Sequence, residues 1–191
     1  MVILDPGHGF NTEGKRSPVW EDGTQLFEWE FNRDIARAVK EELSQHKIKS
    51  VILVEEAIDI PLYTRANRAN NLSRQFPGSF LISIHGNAGG GRGWEVWTCP
   101  GQTESDKLAT KLYQSAKYYL KDYQMRHDYS DGDPDKEARF TILTKTVCPA
   151  VLTENLFFDN RDECRFMLSE TGQRLITKLH VDGIINYMRE M

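Results

Sequence analysis

Two histidines stand at matched places in the chain. His8 follows Val2-Ile3-Leu4 through the turn Asp5-Pro6-Gly7, and His85 follows Phe80-Leu81-Ile82-Ser83-Ile84 directly. Each apolar run, bounded by turn residues, reads as a short buried strand. Glu154 is placed in the same way after Ala150-Val151-Leu152-Thr153, and Glu28 lies at the start of an amphipathic stretch. Open α/β sheets carry their chemistry at the carboxyl ends of strands. If these strands are neighbours, the four side chains converge. Two histidines and one carboxylate make an open catalytic zinc set, with a position left for water whose pKa falls towards about 7. A second carboxylate that does not touch the metal can take the water's proton and pass it to a leaving group. The spacing alone does not say which carboxylate does which. No short signature such as H-E-x-x-H is present, and a glutamate in a first helical turn also simply favours the helix dipole.

The elements that must position these groups follow from periodicity. Asn11 to Gln25 is polar and glycine-containing, with Pro18 and an exposed-looking Trp20, and its length predicts a binding wall. Leu26 to His46 is predicted helical, because Phe27, Phe31, Ile35, Ala38, Val39 and Leu43 form one stripe. Lys47 to Val54 reads as a strand, and a helix starting at Asp59-Ile60-Pro61-Leu62 runs to about Arg74. Gly93 to Thr98 reads as a strand, Ser105 to about Tyr123 as a helix, Arg126 to Ala138 as a charged loop, and Phe140 to Thr144 as a strand. Arg161 to Met191 gives helices broken near Thr171-Gly172, with Leu175, Leu179, Ile184 and Met188 in the core. Alternating strands and helices predict one α/β/α three-layer domain over residues 1–191, with a mostly parallel, mixed sheet of about six strands.

Composition narrows the function classes. With 191 residues and a net charge of −4, the chain suits one domain and shows no basic, aromatic-interleaved stripe for nucleic acid. No apolar run approaches the roughly 18 residues of a membrane span. Met1 directly precedes the first strand, so no signal peptide is visible and synthesis in the cytoplasm is expected unless a leader was trimmed. Cys99, Cys148 and Cys164 are widely spaced and odd in number, which reads as buried thiols.

Taken together, the motifs carry a resemblance. Ile3-Leu4-Asp5-Pro6-Gly7-His8-Gly9 resembles the opening motif of the zinc-dependent N-acetylmuramoyl-L-alanine amidases of the family 3 type. Glu28 with Asn32 and Ile35-Ala36 resembles that family's glutamate ligand, and Arg65-Ala66-Asn67-Arg68-Ala69-Asn70 its helix before the third strand. Ser83-Ile84-His85-Gly86-Asn87-Ala88 is similar to its second histidine motif, and Glu154 with Phe157 and Asn160 to its catalytic segment. The matches run in family order from residue 2 to 160. Two positions depart: Phe10 stands where a second glycine is common, and Leu156 replaces the glycine two residues after the catalytic glutamate. Both are expected on a divergent pocket rim.

The resemblance implies hydrolysis of the amide joining N-acetylmuramic acid to L-alanine in peptidoglycan, at the bacterial cell wall. It implies one Zn2+ per chain held by His8, Glu28 and His85, with Glu154 as the catalytic acid and base. Glu30 is a rival to Glu28, but the two point about 200° apart on a helix, so only one faces the metal. Asp5 is expected to support the turn rather than bind metal, Arg65 to pair structurally, and Asn87 to bond either substrate or turn. Trp20, Trp94 and Trp97 are candidates for stacking on substrate. His46, His127 and His180 are expected outside the ligand set. No wall-binding domain or linker is visible, and the helix between Thr98 and Phe140 is expected to be an ordinary layer helix, not an inhibitory one. Two other readings stand beside this one: a zinc carboxypeptidase, needing Arg65, Arg92 or Arg139 for a terminal carboxylate, and a wall-binding domain with zinc as a clamp.

Overall fold

A computed structural model describes all 191 residues. The strands are Val2–Pro6 (β1), Ser50–Ile52 (β2), Phe80–Asn87 (β3), Trp94–Thr98 (β4), Lys136–Glu137 (β5) and Ala150–Phe157 (β6). They form one sheet in the order β2-β1-β3-β6-β4-β5. Pairs β1–β2, β1–β3 and β3–β6 are parallel, while β4 runs antiparallel to β6. The helices are Glu28–Gln45 (α1), Leu62–Gln75 (α2), Glu104–Tyr119 (α3), Thr141–Thr144 (α4), Arg161–Leu168 (α5) and Glu170–Met188 (α6). None is long and apolar enough to cross a membrane.

Strand alternation assigns the layers. Val2, Leu4, Ile82 and Ile84 pack with Ile35 and Val39 of α1, Leu112 of α3 and Ile184 of α6 in the larger core. Ile3, Leu81 and Leu152 face the other way, onto Ala69 of α2 and Ile142 and Leu143 of α4. This is the three-layer α/β/α arrangement with a mixed six-stranded sheet. The helix between Thr98 and Phe140 is α3, which packs as a layer helix with its core residues Leu108, Leu112 and Ala116 buried.

Several elements differ from the periodicity reading. Phe140 to Thr144 is not a strand: Leu143 and Thr144 both donate their amides to the Phe140 carbonyl, which closes a helical turn. The edge position it would have needed beside β4 is held by β5, where Trp97 and Thr98 pair with Lys136 and Glu137 inside the stretch read as loop. Charged residues suit such an edge. The final helices part at Ser169, two residues before Thr171-Gly172 and so near the expected break, where the Ser169 Oγ accepts from the Gly172 amide. Met188 is exposed at the helix end instead of in the core, and Leu175 is only partly buried. Most relevant to function, β3 and β6 continue past Ile84 and Thr153, so His85 and Glu154 lie within strands, not after them.

Candidate metal centre

β1, β3 and β6 are parallel and bring their carboxyl ends to one edge. The chain leaves β1 at Pro6, and His8 adopts φ 61°, in the left-handed region that disfavours side chains. Its carbonyl accepts hydrogen bonds from Arg33 Nη1 (2.9 Å) and Arg65 Nη2 (3.2 Å), both on buried arginines. Asn32 Nδ2 holds the Gly7 carbonyl at 3.2 Å. These bonds offset the strained turn and fix the imidazole beside the sheet.

Glu28 is the first residue of α1, and its amide donates to the Lys15 carbonyl at 3.0 Å. The helix packs on the face opposite α2, so Glu28 reaches the strand ends from the far side. Its Oε1 lies 3.3 Å from His8 Nε2 and 3.1 Å from His85 Nδ1. The two imidazole rings stand 4.9 Å apart at 89° to each other. One ligand atom from each of the three residues lies within 4.8 Å of the other two. Ligands about 2.1 Å from one tetrahedral ion would be separated by roughly 3.4 Å, so the two short distances suit a shared ion. Glu28 Oε2 is buried without a hydrogen bond, 3.7 Å from Lys15 Nζ.

Glu154 and His85 are direct partners across β6 and β3, and Glu95 of β4 is the partner of Glu154 on its other side. The three therefore project from one face in a row. Glu95 is neutralised by Arg126 Nε at 2.6 Å and Lys136 Nζ at 3.0 Å. Glu154 has no such partner, and its buried Oε2 makes no hydrogen bond. Burial pushes its carboxyl up to about 7, His85 opposing and Glu28 and Glu95 adding. Burial also works to raise Glu28, but the hydrogen bonds and charges of His8 and His85 outweigh it and hold the carboxyl well below the usual range. For His8 burial dominates and lowers the imidazole, while for His85 the Glu28 hydrogen bond and charge overcome burial and raise it. A cleft of about 580 Å³ opens beside these groups, bounded by the loop residues Thr12 and Lys15, the start of α2, and the segment Arg139 to Ile142.

The remaining candidates sort by burial. Glu30 is exposed and away from the cluster. Asp5 is buried and accepts from Arg65 Nη1 and Ser83 Oγ, each at 2.7 Å, so it braces the strand end. Asn87 bonds Glu95 and its own neighbour Ala88, which serves the turn. Trp20 is not exposed: its Nε1 lies 3.2 Å from Cys164 Sγ and its ring packs on the larger core. Trp94 is fully buried with Nε1 bonded to Asn155 at 2.9 Å, so it cannot stack on substrate. Trp97 is half-covered by Lys136 and Phe140. His46 is the C-cap of α1, His127 sits among tyrosine rings, and His180 is buried under β6. Phe10 is exposed on the turn after His8, but Leu156 is not on any rim: it is fully buried in the core with φ 70°. That left-handed backbone is the reason a glycine fits the position.

Sequence reasoning missed Arg33, Lys15, Asn155 and Glu95. Asn155 Nδ2 holds the His85 carbonyl at 2.9 Å. A helical arginine and a strand glutamate ordinarily read as solvated, and only the hydrogen bonds they find inside reveal them.

A family model described as N-acetylmuramoyl-L-alanine amidase matches residues 2–186. The chain is 28% identical over 185 residues to the N-acetylmuramoyl-L-alanine amidase CwlM of Bacillus licheniformis, covering 96% of this chain and 66% of that protein. It is also 28% identical to the endolysin of Bacillus phage SPP1, over 96% of this chain and 64% of that protein. The chain thus spans about two thirds of the length of these curated relatives. Among solved structures, the N-acetylmuramoyl-L-alanine amidase from Clostridium difficile 630 superposes with a TM-score of 0.83 at 28% identity, covering 98% of this chain and 96% of that one. The fold, the match along nearly the whole chain and the order of its motifs agree: the chain belongs to the N-acetylmuramoyl-L-alanine amidase family.

Proposed function

We propose that this chain hydrolyses the amide between N-acetylmuramic acid and L-alanine in peptidoglycan, with Zn2+ held by His8, Glu28 and His85 and with Glu154 moving the proton. The observation that carries the reading is the convergence of two imidazoles and a buried carboxylate within 4.8 Å, beside an unpaired glutamate on the next strand. The donor set fits: two imidazole nitrogens and Glu28 Oε1 face one another and leave a position open, and a cation there would complete the compensation of a buried carboxylate whose Oε2 makes no hydrogen bond and has only Lys15 Nζ at 3.7 Å. Bound zinc would act as a Lewis acid on the lactyl carbonyl and make water nucleophilic near neutral pH.

The chain's own residues supply the rest. Glu154 shares a face with His85 and keeps an unbonded oxygen, so it can accept a proton from the attacking water. The same carboxyl can return the proton to the alanine nitrogen, which matters because an amide anion is a very poor leaving group. Arg33, Arg65 and Asn155 hold the backbone that carries His8 and His85, so the ligand geometry is set before substrate arrives.

Digestion of purified sacculi tests the reading. The expected products are glycan strands and intact stem peptides with a free L-alanine amino terminus, abolished by chelator and restored by zinc. Release of single amino acids would instead mark a peptidase, and binding without solubilisation would mark a wall-binding domain.

A further inference from the structure

The cleft beside the metal centre contains three cationic side chains besides its histidines: Lys15, Arg65 and Arg139. Two are already committed. Arg65 is buried, bridges Asp5 at 2.7 Å and Asp59 at 2.9 Å, and also holds the carbonyls of Ile60, Pro6 and His8. Lys15 stands 3.7 Å from Glu28. Arg139 is exposed on the cleft wall and has neither a carboxylate nor a hydrogen-bond acceptor of the chain on its guanidinium. The cleft's own acids do not face it as partners: Asp5 and Asp59 are spent on Arg65, and Glu154 lies in the strand row with His85. Leu62 and Phe140, both partly exposed, flank the same wall with apolar surface. An unpaired guanidinium beside apolar surface suits an anionic peptide.

On the amidase reading, on which this inference rests, the substrate is anionic on one side of the scissile bond only. The lactyl carboxyl of muramic acid is consumed in the amide, and the amino sugars carry neutral acetyl groups. The peptide keeps its charge: after L-alanine comes a glutamate linked through its side chain, which leaves an α-carboxylate as a branch. That branch is one residue from the cleaved nitrogen, within roughly 3–7 Å of extended chain. Walls differ in whether this carboxylate is free or amidated.

We propose that Arg139 is a specificity residue that pairs with the α-carboxylate of the stem peptide's second residue and so favours the free acid over its amide. A fork-shaped donor gains a second charge-assisted bond from a carboxylate that a carboxamide cannot fully replace.

The test uses the zinc-loaded protein and two soluble substrates, disaccharide-linked muramoyl tripeptides in which the D-glutamate is joined through its γ-carboxyl to the same third residue and its α-carboxyl is either free or amidated. The expected ratio of kcat/KM, free acid over amide, is roughly tenfold or more, the size of one charge-assisted bond. Arg139→Gln should bring that ratio to about one, and Arg139→Lys should recover part of it. A wild-type ratio near one, or an Arg139→Gln variant that slows both substrates equally, overturns the proposal while leaving amidase action intact. Cleavage of neither substrate by the wild-type protein overturns both readings, and cleavage elsewhere in the peptide overturns the amidase reading by its products.

Discussion

Gly7 and His85 are fitted to each other. A β-carbon built on Gly7 would lie 2.1 Å from Cε1 of His85 and within 2.5 Å of both ring nitrogens. Gly7 is not at positive φ, so its backbone would accept alanine. The glycine is there to let the imidazole lie against the turn. Gly7→Ala is therefore expected to fold, to displace the His85 ring, and to weaken metal affinity by about 10–100-fold, as loss of ligand support generally does. Titration with zinc under a competing chelator measures this, and unchanged affinity would mean the ring is free to move.

Glu154 separates binding from turnover. Glu154→Gln keeps the side-chain shape but removes the proton carrier. The variant should retain its metal and lose about 10²–10⁴-fold in turnover. Near-normal turnover with full metal content would remove Glu154 from the chemistry.

His180 sets a pH limit on stability. It is fully buried, donating from Nδ1 to the Ile176 carbonyl at 2.7 Å and accepting at Nε2 from Thr153 Oγ1 at 3.0 Å. Burial lowers its pKa from 6.5 to about 4 in the folded chain. Because the folded value is depressed, the unfolded chain binds the proton first as pH falls. Stability is thus complete above about 6.5 and declines as pH drops towards 4, by roughly 2–3 kcal/mol at pH 4.5. Urea unfolding at pH 7 and pH 4.5 should show that extra loss in the wild type and not in His180→Gln; equal losses would contradict the assignment.

Leu156 poses a contest of magnitudes. Its φ of 70° costs about 1–2 kcal/mol for a side chain. Its burial is complete, and emptying such a site costs about 2–5 kcal/mol. Leu156→Gly should therefore lower stability by roughly 1–3 kcal/mol despite relieving the backbone. A more stable glycine variant, read by chemical denaturation, would show that strain outweighs packing here.

How far the sequence carried depends on where each group's signal lies. His8 and His85 were legible because each sits in or against a local turn motif, and Glu28 because it opens an amphipathic helix and matches the resembled family's glutamate motif; helix geometry alone says only that Glu28 and Glu30 do not both face one ion. The layers were legible from the alternation of strands with helices along the chain. Arg33 was not, because its charge predicts solvent and its two backbone acceptors, the carbonyls of His8 and Glu56, come from distant segments. Trp20 and Trp94 were misread for the same reason: each aromatic N–H found a buried partner, Cys164 and Asn155, far away in sequence. The exchange of strand and helix near Phe140 arose because a short β-prone run cannot announce that β5 already occupies the sheet edge.

The centre itself is tested most directly by counting metal in purified protein. The expected result is one zinc per chain in the wild type and almost none in His8→Ala, Glu28→Ala or His85→Ala, with each variant still folded. A full equivalent of metal retained by the folded His85→Ala variant would contradict a site built from these three side chains.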